Sequence, residues 1–164
     1  MNRIKLHIAA ALMAISLIPA SAMALTATGQ VNITATTVQP TAAVTVAGAL
    51  AFGTVQDTLT AVAQTSFDVT VTNGWPYSIA LDGGANYNAA TAQSLMKDGG
   101  GLNAREYVLY QDAARLNVWG PAGTNMAGLS GTGAIQTYQL YGSLLAAPGT
   151  TGAVSDITTI TVTY

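Results

Sequence analysis

Apolar and polar residues alternate along most of this chain, and the period is two. From Ala27 to Thr36 the odd positions read Ala27, Gly29, Val31, Ile33 and Ala35, while the even ones read Thr28, Gln30, Asn32, Thr34 and Thr36. One face is apolar and the other polar, the pattern of a half-buried strand. Pro40 interrupts it, because proline has no amide hydrogen for a sheet ladder, and Ala43-Val44-Thr45-Val46 opens the main run of strands. Segment 25–39 is therefore read as a strand and hinge ahead of a domain covering 40–164.

Turn signals divide the rest. Phe67, Val69 and Val71 share one face, and Asn73-Gly74 predicts a hairpin into Tyr77-Ser78-Ile79-Ala80-Leu81. Gly83-Gly84 and Gly99-Gly100-Gly101 bracket a loop-rich middle. Tyr107–Gln111 and Leu116–Trp119 are expected to pair around Asp112–Arg115, and the glycines between 120 and 133 to form a long loop. Two last strands follow, at Gln136–Leu144 and Ile160–Tyr164. No helical stripe competes with this pattern. Short strands at regular spacing predict an all-β, immunoglobulin-like sandwich. The strand at Ile160–Tyr164 is apolar, β-branched and uncharged, with no lysine or proline to discourage pairing, so it is expected to be paired by another chain.

Before the strands, Arg3 and Lys5 precede an apolar run from Leu6 to Ile18, with Ala22-Met23-Ala24 as a cleavage motif. Residues 1–24 are read as a signal peptide, with maturation at Leu25. The run is too short for a spanning helix, and no later segment of the mature chain is long and apolar enough to be one. Cleavage would remove Arg3, Lys5 and His7, the one histidine, leaving three bases against seven acids and a net charge of −4. A chain so poor in bases has no patch to displace phosphate counterions, so nucleic acid is not an expected partner. There is no cysteine. Without mature histidine or cysteine, no nucleophile–base pair or soft metal site can be assembled, and the chain is not read as an enzyme. No cofactor or metal is implied. Asp82, Asp98, Glu106 and Asp112 read as turn and loop acids rather than a catalytic pair or a calcium loop. Trp75, Trp119, Tyr107, Tyr110, Tyr138 and Tyr141 fall mostly at alternating positions, where packing between sheets accounts for the rings.

Certain segments, in order and spacing, resemble the spore coat protein U domain family, which includes the pilins of archaic, Csu-type chaperone-usher fimbriae. They are Phe52-Gly53-Thr54, Val71-Thr72-Asn73-Gly74, Ile79 to Gly84, Tyr107 to Arg115, Val118-Trp119-Gly120, Leu140-Tyr141-Gly142 and Ile160 to Tyr164. The resemblance implies an incomplete immunoglobulin-like sandwich that lacks one strand and is completed by donor-strand exchange. It implies a structural pilin subunit, exported to the periplasm and then assembled into an extracellular fimbria that supports attachment and biofilm formation. Its implied partners are a periplasmic chaperone, an outer-membrane usher and identical or related subunits. Ala27, Gly29, Val31, Ile33 and Ala35 would form the donor strand, with Ile160, Val162 and Tyr164 at the edge of the acceptor groove. The alternatives are a spore or cell-surface coat protein and an adhesive module at a fibre tip. Many family members carry a cysteine near the first domain strand and another before the Asn-Gly turn. The corresponding places here hold Ala42 or Ala43 and Val71.

Overall fold

The structure is a computed structural model that describes residue 32 and residues 34–36 and 39–164. The signal peptide read at 1–24 lies outside them. Residues 37–164 form one unit. Among the described residues every regular element is a strand, and no helix is long and apolar enough to cross a membrane.

Among the described residues eight strands make two antiparallel sheets. The first sheet takes β1 (Ala42–Val46), β2 (Ala61–Val71), β7 (Gln136–Leu144), β5 (Ala104–Tyr110) and β4 (Ser94–Lys97), side by side in that order. The second takes β6 (Met126–Ser130), β3 (Pro76–Leu81) and β8 (Ile160–Thr163). The alternation read from the sequence becomes burial: Phe67, Val69 and Val71 from β2 meet Tyr77, Ile79 and Leu81 from β3, all nearly inaccessible to solvent. Phe67 lies at the centre, its ring 5.8 Å from that of Trp119 and 5.7 Å from that of Tyr138. Such ring contacts add to the apolar burial.

Four sequence expectations are corrected. Asn73-Gly74 does not make a hairpin, because β2 and β3 belong to different sheets. The turn closes with the Trp75 amide donating to the Thr72 carbonyl at 3.1 Å, and of its two central residues only Gly74 has positive φ, at 78°. That is the type II pattern, which splays flanking strands where type I′ would keep them paired. The loop-rich middle contains β4, and the glycine-rich stretch after 120 contains β6. Leu116–Trp119 does not form a strand. It is tied to β5 by a bridge between Tyr110 and Val118 and by the Trp119 amide donating to the Leu109 carbonyl at 2.8 Å.

Arg105 is buried on β5, where its guanidinium donates to the carbonyls of Leu145 and Leu59. These bonds pin the segments flanking β7 and β2 to one end of the sandwich. Of the acids read as turn and loop residues, Asp82, Asp98 and Asp112 act as such, whereas Glu106 lies within β5 and accepts from the side-chain amide of Gln93. Asp98 accepts from the amide of Leu102 and the side chain of Asn103, and Asp112 accepts from the amides of Leu116 and Asn117. At Asp82 burial opposes ionisation, but hydrogen bonds from Thr159 and the Gly84 amide outweigh it and leave the carboxyl below its ordinary range.

Candidate strand-accepting groove

The two sheets do not cover each other completely. β1 is the edge of the first sheet, with Val44 opposite Val69 and Val46 opposite Phe67. Directly opposed residues in an antiparallel pair project to the same face, so Val44 and Val46 point to the core side. Val69 and Phe67 are nevertheless sealed, at 0% and 1% exposure, while Val44 and Val46 remain 38% and 55% exposed. The apolar inner face of β1 is therefore left partly uncovered.

Its counterpart is β8. This strand pairs with β3, Ile160 opposite Leu81 and Val162 opposite Ile79, and among the described residues its other edge carries no partner strand. Ile160 and Val162 thus face the core, and both are only partly buried. Between β1 and β8 runs a groove with a cavity of about 280 Å³, whose apolar lining includes Val46, Leu50, Phe52, Leu140 and Ile160. Leu50 and Phe52 reach its floor because Gly142 on β7 leaves room for them: a methyl there would come within 2.6 Å of Leu50 and 3.0 Å of Phe52. The geometry suits one added strand, with a free ladder edge on β8 for its backbone and an apolar trough for alternate side chains.

Towards its far end the groove changes character. The core-facing column of β8 continues backwards through Thr158 to Asp156, both of which line the cavity. Tyr107, 5% exposed, donates its hydroxyl to Asp156 at 2.7 Å. With that proton committed, the Thr158 hydroxyl at 3.0 Å donates to the Tyr107 oxygen. Asp156 also accepts from the backbone amide and the side-chain amide of Asn86. Gly84, at φ 90°, passes so close that any side chain would run into the Asp156 carboxylate and the Tyr107 hydroxyl. Burial, with the carboxylate alongside, pushes the Tyr107 hydroxyl well above the ordinary tyrosine range.

Of the residues assigned from the sequence to the acceptor edge, Ile160 lines the cavity, and Val162 follows it on the same core-facing column of β8 without lining it. Tyr164 follows the last residue of β8 and is 53% exposed. Ala27, Gly29, Val31 and Ile33 lie outside the described residues, and Ala35 is exposed. Sequence reasoning did not assign Val44 and Val46 to the opposite wall, nor Tyr107, Asp156 and Thr158 to the polar end. Alternation marked β1 as a strand, but exposure depends on what lies across from it. The Tyr107–Asp156 contact spans 49 residues and leaves no local signal.

Comparisons with known proteins agree with this architecture. No curated protein matches the chain. Among solved structures, one similar chain belongs to a chaperone–tip adhesion subunit pre-assembly complex from the archaic chaperone-usher Csu pili of Acinetobacter baumannii. It aligns with 78% of this chain at 19% identity and a TM-score of 0.59. This chain spans only 40% of that one. A second is a chaperone-usher pilus structure described for the molecular basis of rod uncoiling, at 14% identity and a TM-score of 0.50 over 84% of this chain and 96% of that one. At such identities the likeness is one of fold, here immunoglobulin-like. The profile of the Spore Coat Protein U domain matches residues 27–163, and the chain belongs to that family.

Proposed function

We propose that this chain is a structural subunit of a chaperone-usher pilus, joined to its neighbours when the N-terminal segment of one copy enters the groove of the next. The observation that carries this reading is the uncovered trough between β1 and β8, where Val46 is 55% exposed on a face whose neighbours are sealed. An exported protein that kept such a trough and the free edge of β8 open would aggregate. A chaperone during transit and a fellow subunit afterwards resolve the conflict.

Segment 25–39 has the properties of an occupant. It is uncharged, and in its alternating stretch 27–36 Val31 and Ile33 are the two large apolar residues. Burying them contributes roughly 1.5 to 3 kcal/mol each, and the backbone ladder along β8 adds to this. β1 begins and β8 ends at the same end of the sandwich, Ala42 lying opposite Val71 and Thr163 opposite Ser78. A strand antiparallel to β8 therefore has its N-terminal end there and runs towards Asp156. Because a donor on one copy meets an acceptor on another, the contact is heterologous and propagates as a fibre. Export to the periplasm and display at the cell surface belong to the same reading, with an outer-membrane usher as the site of assembly.

The test is Ile33→Asp in the exported chain, co-expressed with chaperone and usher. Secretion and chaperone capture are expected to persist while fibres disappear, since an unpaired charge cannot enter an apolar trough. Fibres of normal abundance under the electron microscope would refute the assignment.

A further inference from the structure

The core-facing column of β8 is apolar at Val162 and Ile160, and the segment before it is polar at Thr158 and Asp156; Ile160, Thr158 and Asp156 line the cavity. We propose that Thr158, Asp156 and Tyr107 act as a register stop, fixing how far an inserted strand advances and so which of its residues lie beside Ile160 and Val162. This rests on the strand-insertion reading above and adds to it the determinant of register.

Hydrogen bonding along a strand edge does not itself choose a register. A slip by one residue is excluded because it turns every side chain to the opposite face. A slip by two keeps the faces and the ladder, so something else must prohibit it. Within the apolar stretch there is little to do so, since aliphatic side chains accept one another with small differences. At the polar end the cost is specific. Ile33, advanced by two positions, would occupy the place of Ala35 next to Thr158. It would press an aliphatic side chain against a carboxylate already bonded to Tyr107 and Asn86 and desolvate the part still exposed. Ala35 is too short to do so. The order large, large, small at 31, 33 and 35 thus matches the order apolar, apolar, polar at 162, 160 and 158.

The knot is held rigidly enough to act as a stop. Ser155 exchanges two backbone hydrogen bonds with Lys97 of β4, both 2.9 Å. The Ala85 amide donates to the Ile157 carbonyl, the Asp82 amide to the Thr159 carbonyl, and the Thr159 amide to the Asp82 carboxylate. Residues 155–159 are therefore tied to both sheets and cannot swing aside for an advancing strand.

Because the chain has no cysteine, paired cysteines report register without background. Thr34→Cys is placed on the polar face of the donor strand and combined, one at a time, with Ile157→Cys, Thr159→Cys or Thr161→Cys, all at exposed positions. Full-length fibres are oxidised and run on a non-reducing denaturing gel. In the parent background one of the three positions gives a disulfide ladder. In Thr158→Val and Asp156→Ala backgrounds a second ladder appears at the position two residues nearer Asp156. Asp156→Ala also removes bonds to Asn86 and Tyr107. Should it fail to fold, Thr158→Val, which keeps those bonds, decides the matter. A single unchanged ladder in Thr158→Val overturns the register stop and leaves strand insertion standing. No ladder at any position in the parent overturns strand insertion itself.

Discussion

Val46 and Phe67 stand directly opposite each other on adjacent strands, yet one is 55% exposed and the other 1%. The pair marks where the core stops being covered. Val46 has a core position with surface exposure, so a substitution there separates the free subunit from the assembled one. Val46→Asp is expected to leave the melting temperature of the chaperone-released subunit nearly unchanged, because exposed substitutions shift stability by about 0.5 kcal/mol or less. Polymer yield should fall to background, since strand insertion would bury the new charge without a partner. Scanning calorimetry and gel analysis of unboiled fibres check the two halves.

Ala42 and Val71 form another informative pair. They are direct partners across β1 and β2, so Ala42 rather than Ala43 is the residue opposite Val71. The neighbouring pair Thr41 and Thr72 is hydrogen-bonded, the Thr72 amide donating to the Thr41 carbonyl at 3.1 Å. By alternation, Ala42 and Val71 are a non-hydrogen-bonded pair, whose Cα separation of about 4.5 Å falls inside the range a disulfide spans. The double variant Ala42→Cys with Val71→Cys is expected to oxidise during export and to stabilise the subunit by roughly 2 to 4 kcal/mol. Denaturant melts with and without reductant measure the difference, and free thiols in the folded, oxidised protein would contradict the geometry.

These cases show how much of the molecule is legible in its sequence. Period-two alternation located β2, β3, β7 and β8, and with them Ile160 and Val162, because a strand half-buried on a core writes its environment into every second residue. β4 and β6 were missed since they are short, and Gly128 interrupts β6 with a φ of 69°. The Asn73-Gly74 dipeptide announced a turn but not which sheet the chain would join next. That choice depends on whether one or both central residues take positive φ, a detail settled by tertiary packing. The open wall at Val44 and Val46 and the polar end at Asp156 depend on residues far away in sequence, and no local pattern encodes them.

Tyr107 gives the fold a dependence on alkaline pH. Its hydroxyl proton is held in the folded state above the ordinary tyrosine range, by burial and by Asp156, so the folded chain keeps that proton when the unfolded chain has lost it. The stabilisation is complete below the unfolded value near pH 10 and is lost as pH rises beyond it. Tyr107→Phe should flatten the fall in unfolding free energy above about pH 10 while lowering stability at neutral pH, where the bonds to Asp156 and Thr158 are missing. Parallel slopes for the two proteins would show that Tyr107 is not the group responsible.

The central claim is that one copy's N-terminal segment fills another copy's groove. It is tested most directly by co-expressing the protein with its chaperone and usher, as the full-length form and as a form lacking residues 25–36, and measuring the mass and morphology of the products. The account predicts heat-resistant polymers from the full-length chain and only a chaperone complex from the shortened one. Free, stable monomers from both would contradict it.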